Sequence, residues 1–201
     1  MYYNGLEYIT GFILRTQKGS ITGLENLPQP PCIIAANHVS PYDPMLMVAQ
    51  LYPWIRKYNK KIMFLTNPKV IALFGALHNT LGMFPGTRSG LKIALGYLHQ
   101  GIPVCIFPNR DRKPTQVKKF HLGPAYLAAK ADVPIVPIGI KATEEVYPSW
   151  DIGKIIKNFF YKKHFIIGQP FSVKGFSSLF KATEELTQKV ANLINKDVRV
   201  E

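Results

Sequence analysis

Short apolar runs alternate with stretches of helical spacing along the chain. Residues 32–36, 62–66, 103–107, 134–140 and 164–167 are continuous, apolar and partly β-branched, the pattern of strands buried on both faces. Asn67-Pro68, a capping residue followed by proline at the first helical position, opens a helix running through Val70, Ile71, Leu73, Phe74 and Leu77. Leu91, Ala94, Leu95 and Leu98 share one helical face, and the pattern stops at Gly101. A last helix, from about 178 to 195, sets Leu179, Ala182, Leu186, Val190, Leu193 and Ile194 on one side. Residues 28–31 are a stiff, proline-rich entry into the first strand, and no interior linker or repeat interrupts the alternation. The expectation is a single α/β domain over residues 1–201, with a largely parallel or mixed sheet flanked by helices.

Composition agrees with this picture, and charge adds to it. The 201 residues are 47% apolar and 18% charged, which excludes disordered and low-complexity classes. The formal net charge is +13, and no carboxylate side chain occurs between residues 44 and 110. Such a chain attracts polyanions: anionic lipid, nucleic acid, an acidic carrier protein or a phosphorylated substrate. Cys32 and Cys105 each lie inside an apolar run and read as reduced core thiols, compatible with a reducing cytosol. The first residues lack the basic start, apolar run and small-residue site of a secretory signal, and no segment has the length and apolarity to span a bilayer.

The chemistry concentrates where strands end. In Asn37-His38-Val39-Ser40-Pro41-Tyr42-Asp43-Pro44 a histidine follows a strand directly, and an aspartate comes five positions later at a helix start. One turn can hold both, so that the carboxylate fixes the imidazole tautomer and supports the imidazolium formed on proton uptake. Alone, Asp43 also reads as an N-cap and His38 as a structural strand-end residue. The chain contains no G-x-S-x-G, H-E-x-x-H, C-x-x-C or phosphate-loop signature, which leaves the substrate's own hydroxyl as the nucleophile. Arg88 follows the turn at Gly82-Met83-Phe84-Pro85, and Arg110 and Arg112 follow the strand ending at Phe107. If those strands are parallel, His38 and Arg112 leave the same carboxyl edge, where open α/β sheets bind ligands. The arginine fork suits a phosphate there.

The order Asn37-His38-x4-Asp43, Gly82-x-Phe84-Pro85-x-x-Arg88, Phe107-Pro108-x-x-x-Arg112 and Val133-Pro134-Ile135-Val136-Pro137-Ile138 resembles the glycerolipid acyltransferase superfamily. The resemblance also takes in Gly23-Leu24-Glu25-Asn26-Leu27-Pro28, Lys118-Lys119-Phe120-His121-Leu122-Gly123 and Ile167-Gly168-Gln169-Pro170-Phe171. It implies acyl transfer from a thioester, acyl-CoA or acyl carrier protein, to a hydroxyl of a lysophospholipid or glycerol-phosphate-type acceptor. It makes His38 the general base, Asp43 its orienting partner, and Arg88 and Arg112 ligands of the acceptor phosphate. No metal or resident cofactor is implied. The third motif departs from the family's usual Phe-Pro-Glu-Gly-Thr-Arg, because Asn109, Arg110 and Asp111 replace its three central residues. There Asn109 can still hydrogen-bond, and Arg110 can add a phosphate contact or pair with Asp111.

A substrate of this kind places the protein at an anionic phospholipid surface, peripheral or monotopic, on the cytoplasmic face. Residues 54–61 mix Trp54 and Tyr58 with four cations, and residues 154–163 surround Phe159, Phe160 and Tyr161 with four lysines. Each cation at an anionic surface contributes about 1 kcal/mol. Three alternatives compete: a basic nucleic-acid-binding module, a metal-dependent phosphoesterase using His38 and Asp43 as ligands, and a non-catalytic lipid-binding relative. The first leaves the ordered His, Asp and Arg motifs without a task, and the second lacks another ligand pair at metal spacing. Nucleic acid is therefore not an expected partner.

Overall fold

The structure is a computed structural model that describes residues 19–109, 119–142 and 162–195. Seven strands among the described residues form one mixed sheet: β1 Ser20–Thr22, β2 Ile33–Ala36, β3 Met63–Thr66, β4 Met83–Pro85, β5 Val104–Ile106, β6 Ile135–Ala142 and β7 Lys163–Ile167. Their order is β1-β7-β6-β2-β5-β3-β4. From β6 to β4 every neighbouring pair is parallel, β7 runs antiparallel to β6, and β1 runs parallel to β7. The helices are α1 Asp43–Gln50, α2 Tyr52–Tyr58, α3 Pro68–Phe74, α4 Leu77–Thr80, α5 Arg88–His99, α6 Gly123–Ala131 and α7 Leu179–Asn195.

Central strand β2 is buried at all four positions, because helices cover both faces of the sheet. On one face Cys32, Ile34, Ala36, Cys105, Val136, Ile138 and Phe165 pack with Leu46 and Met47 of α1 and Trp54 and Ile55 of α2. On the other, Ile33, Ala35, Val104 and Ile135 pack with Ala94 and Leu98 of α5, Leu127 of α6, and Leu186 and Val190 of α7. Cys32 and Cys105 are free thiols buried in the first of these layers. Burial pushes the Cys32 thiol up to about 12 and raises that of Cys105 well above its usual range.

All five expected strands form, with small shifts at their ends, and the sheet gains β1 and β4 at its two edges. The helix expected from Asn67 onward is broken in two. Gly75 takes a left-handed φ of 49° after Phe74, a conformation open to glycine, and α3 ends there. Helices α1, α2 and α6 complete the layers. Pro44, Pro53 and Pro124 stand in their first turns, where a missing N–H costs no hydrogen bond.

Candidate active site

The carboxyl ends of the parallel strands β2, β5, β3 and β4 form one edge, and the turn after β2 carries the central pair. Asn37 is buried there and completes the ladder with a side chain. Its Nδ2 donates to Ile140 O at 2.8 Å, and its Oδ1 accepts from Ile140 N at 2.7 Å. This amide fixes the first residue beyond β2 against β6, so the position of His38 is set by the sheet rather than by a loose loop.

His38 Nδ1 lies 2.7 Å from Asp43 Oδ2, and the same oxygen accepts from the backbone N–H groups of Val39 at 2.7 Å and Ser40 at 2.8 Å. An oxygen that accepts two N–H groups meets Nδ1 as an acceptor as well, so Nδ1 carries a hydrogen and, in the neutral ring, the lone pair lies on Nε2. Asp43 is fully buried, while the His38 side chain keeps 15% of its exposure. The imidazole stacks on Phe107, the first residue beyond β5, with ring centroids 4.5 Å apart and planes 26° apart. Carboxylate, turn and aromatic ring together hold one orientation of the imidazole. Asp43 is the first residue of α1 rather than its cap. The capping position belongs to Tyr42, and the carboxylate turns back onto the loop instead.

The reversed strand β7 brings charge to this edge. Its first residue, Lys163, pairs with Ala142 at the end of β6 and is fully buried on the sheet face shared with Phe165. Burial pushes its ammonium pKa down, and the charge of Asp43 opposes that shift. On the opposite face His164 hydrogen-bonds the Ser20 hydroxyl, and burial with the cations Lys141 and Lys162 pushes its imidazole pKa down. The sequence places His164 only at the start of an apolar strand and Lys163 among the surface cations of residues 154–163, because their approach to the edge depends on the reversal of β7.

The proposed phosphate ligands are distributed unequally. Asn109 follows Phe107 and Pro108 out of β5, next to β2, and is buried. Arg88 opens α5 on the same edge and is exposed, but β4 stands three strands from β2. At about 4.8 Å per strand, that is roughly 14 Å. Thr87 caps α5 by accepting from Gly90 N at 3.1 Å, which orients Arg88 at the helix start. Arg110 and Arg112 lie outside the described residues. Among the described residues no three His, Cys, Asp or Glu side chains gather in a way that could hold a metal ion.

The surface expected to meet a membrane is corrected in two places. Trp54 is buried and its Nε1 donates to Pro28 O at 3.0 Å, so it is a core residue and not an interfacial one. Lys163 is likewise interior, while residues 154–161 lie outside the described residues. Among the described residues no helix is long and apolar enough to cross a membrane.

A carboxylate-backed imidazole at the carboxyl edge of a mixed, three-layered sheet defines an α/β protein equipped for acid–base chemistry. The chain belongs to the acyltransferase family, whose model, described as Acyltransferase, matches residues 18–141. It is 32% identical over 148 residues to the chloroplastic 1-acyl-sn-glycerol-3-phosphate acyltransferase BAT2 of Brassica napus, a match covering 68% of this chain and 41% of that protein. It is 29% identical over 131 residues to a 1-acyl-sn-glycerol-3-phosphate acyltransferase of Pseudomonas aeruginosa, covering 61% and 49%. The chain thus spans less than half the length of these curated relatives in the matched regions. In fold it is similar to the crystal structure of the 1-acyl-sn-glycerophosphate acyltransferase PlsC from Thermotoga maritima. That match has a TM-score of 0.70 and 22% identity, and covers 98% of this chain and 81% of that one.

Proposed function

We propose that this protein moves a fatty acyl group from a thioester, acyl-CoA or acyl carrier protein, to a hydroxyl of a lysophospholipid or glycerol-phosphate-type acceptor. The observation that carries this reading is the 2.7 Å contact between His38 Nδ1 and Asp43 Oδ2 at the carboxyl edge of the sheet. The acceptor oxygen attacks the thioester carbonyl as its proton passes to His38 Nε2. The tetrahedral intermediate then collapses, the C–S bond breaks, and the departing sulfur takes that proton from the imidazolium. Asp43 holds the ring and stabilises the imidazolium throughout. The products are an ester and a free thiol, with no redox step and no resident cofactor.

Arg88, Arg110 and Arg112 bind the acceptor's phosphate with Asn109 beside them, as the motif order implies. Arg88 begins far enough from His38 to suit the distal end of an acceptor rather than its reacting hydroxyl. The protein works peripherally at the cytoplasmic face of an anionic membrane, where such acceptors reside.

The test is an acceptor panel of lysophosphatidate, glycerol 3-phosphate and other lysolipids, assayed with radiolabelled acyl-CoA and acyl carrier protein. Wild type forms labelled ester with at least one pair, and His38→Ala does not. Ester formation by the variant equal to wild type overturns the mechanism. Lipid binding without turnover in either protein identifies a non-catalytic relative.

A further inference from the structure

Helix α3 differs from the helices that cover the sheet. Its sequence, Pro-Lys-Val-Ile-Ala-Leu-Phe, is mostly apolar, yet it buries none of its residues and neither interior cluster takes a side chain from it. Leu73 is 74% exposed, Phe74 39%, and Leu81, just beyond α4, 47%. Apolar side chains gathered in one short helix-turn-helix and left out of the core mark a contact surface.

The surroundings select the partner. No carboxylate side chain occurs between residues 44 and 110, the stretch that contains this whole segment. Lys69, in the first turn of α3, is exposed. A second copy of the chain would bring its own +13 against this surface with no acidic group in the segment to pair. Nucleic acid offers phosphates but no apolar layer for Leu73, Phe74 and Leu81. A bilayer rich in anionic lipid offers both, with negative headgroups over hydrocarbon. The segment is also continuous with the catalytic edge. Gly86 N donates to Thr66 O at 2.7 Å, so the chain leaving β3 toward α3 starts beside the chain leaving β4 toward Arg88.

We propose that the α3–α4 segment docks on the surface of an anionic phospholipid bilayer, with Leu73, Phe74 and Leu81 entering the boundary between headgroups and acyl chains. The docking takes its lipid from the function proposed above, but it is measured separately from turnover.

The experiment compares wild type with the triple variant Leu73→Ser, Phe74→Ser, Leu81→Ser by co-sedimentation with vesicles of phosphatidylcholine alone and of equal parts phosphatidylcholine and phosphatidylglycerol. Wild type binds the anionic vesicles at least about tenfold better than the neutral ones, and the triple variant loses at least about tenfold of that binding. Equal binding by wild type and variant overturns the proposal. A second measurement places an environment-sensitive fluorophore on Leu81→Cys, since Cys32 and Cys105 are buried and escape labelling in the native protein. Emission rises when anionic vesicles are added. A signal already apolar before vesicles are added, or one raised by acyl carrier protein and not by vesicles, overturns the proposal. Turnover of a soluble short-chain acceptor, equal in wild type and triple variant, reads the chemistry independently. Its absence in both proteins would sink the proposed function while leaving the docking result standing.

Discussion

Asp43 Oδ2 takes three hydrogen bonds, one from His38 Nδ1 at 2.7 Å and two from the backbone of the turn that carries that histidine. The aspartate therefore builds the turn and orients the imidazole with one atom. Substitutions at the two positions separate these tasks. His38→Ala removes the proposed base but leaves the turn, so activity falls by about 10²- to 10⁴-fold or more with little change in melting temperature. Asp43→Asn that keeps its oxygen on Val39 and Ser40 also keeps it on His38 Nδ1, because one atom takes all three bonds, but the neutral amide no longer stabilises an imidazolium and its NH2 stands unpaired where Oδ1 was buried. It loses activity to a similar extent in kcat rather than KM. Asp43→Ala leaves two buried N–H groups unpaired and destabilises the fold by about 2–4 kcal/mol. A thermal scan beside the rate assay distinguishes the three, and a large melting shift in His38→Ala would contradict this division of labour.

Asn37 joins β2 to β6 through both atoms of its amide, in bonds to the N–H and C=O of Ile140. Asn37→Ala strands both backbone groups in a buried site and costs about 2–4 kcal/mol, read as a lower urea midpoint. Activity falls further than the unfolded fraction accounts for, because His38 is the next residue. Asn37→Asp offers an acceptor but no donor and recovers at most part of the loss. Full activity in Asn37→Ala at a temperature where it is folded would show that the sheet does not set the position of His38.

The fold was most legible where burial is symmetrical. β2, β5 and the first part of β6 are covered on both faces and show as unbroken apolar runs, whereas β1 and β4 are three-residue edge strands with too little buried surface to leave a pattern. Helix spacing through Leu73 and Leu77 reads as continuous because the interruption is conformational, at Gly75, and leaves the periodicity intact. In the site, His38 and Asp43 were legible because they are five residues apart and share one turn. Asn37 and Ile140 are separated by 103 residues, and Lys163 reaches the edge through the antiparallel β7, so both depend on topology. Trp54 misled because aromatic and basic residues in one stretch look alike whether the ring faces lipid or, as here, the carbonyl of Pro28.

Two glycines in α5 respond oppositely to alanine. A Cβ on Gly90 would sit 1.6 Å from Pro85 O, a backbone atom that cannot turn aside, so Gly90→Ala forces the start of α5 away from β4. Gly96, in the interior of the same helix, has nothing within 4 Å of its Cβ position. Gly90→Ala costs about 1–3 kcal/mol or more, while Gly96→Ala gains about 0.5–1 kcal/mol by restricting the unfolded chain. At this size each kcal/mol moves the melting temperature by about 2–4 °C, so the two variants fall on opposite sides of wild type. Gly90→Ala also displaces Arg88, two residues earlier, and raises KM for the acceptor if that arginine binds its phosphate.

Burial of Cys32 makes stability fall at alkaline pH. Its thiol is held up to about 12 in the folded protein, against 9.0 for an ordinary cysteine. Between those two values the unfolded chain gives up a proton that the folded chain keeps, so unfolding becomes easier as pH rises through the window and is unaffected below it. Cys105 is shifted in the same direction, by burial first and then by the nearby Cys32 thiol and the Asp43 charge. Lys163, with its pKa lowered, contributes the opposite slope as pH approaches its ordinary value of 10.5. Comparing wild type with Cys32→Ala cancels the lysine, while Cys105 keeps its burial but loses the contribution of the Cys32 thiol, which flattens the decline in the same direction. The expected result is a urea midpoint that declines less steeply above pH 9 in the variant, on top of a pH-independent loss from the small cavity. Parallel declines in the two proteins from pH 8 to pH 10.5 would mean that the Cys32 thiol ionises as readily in the folded sheet as in the unfolded chain.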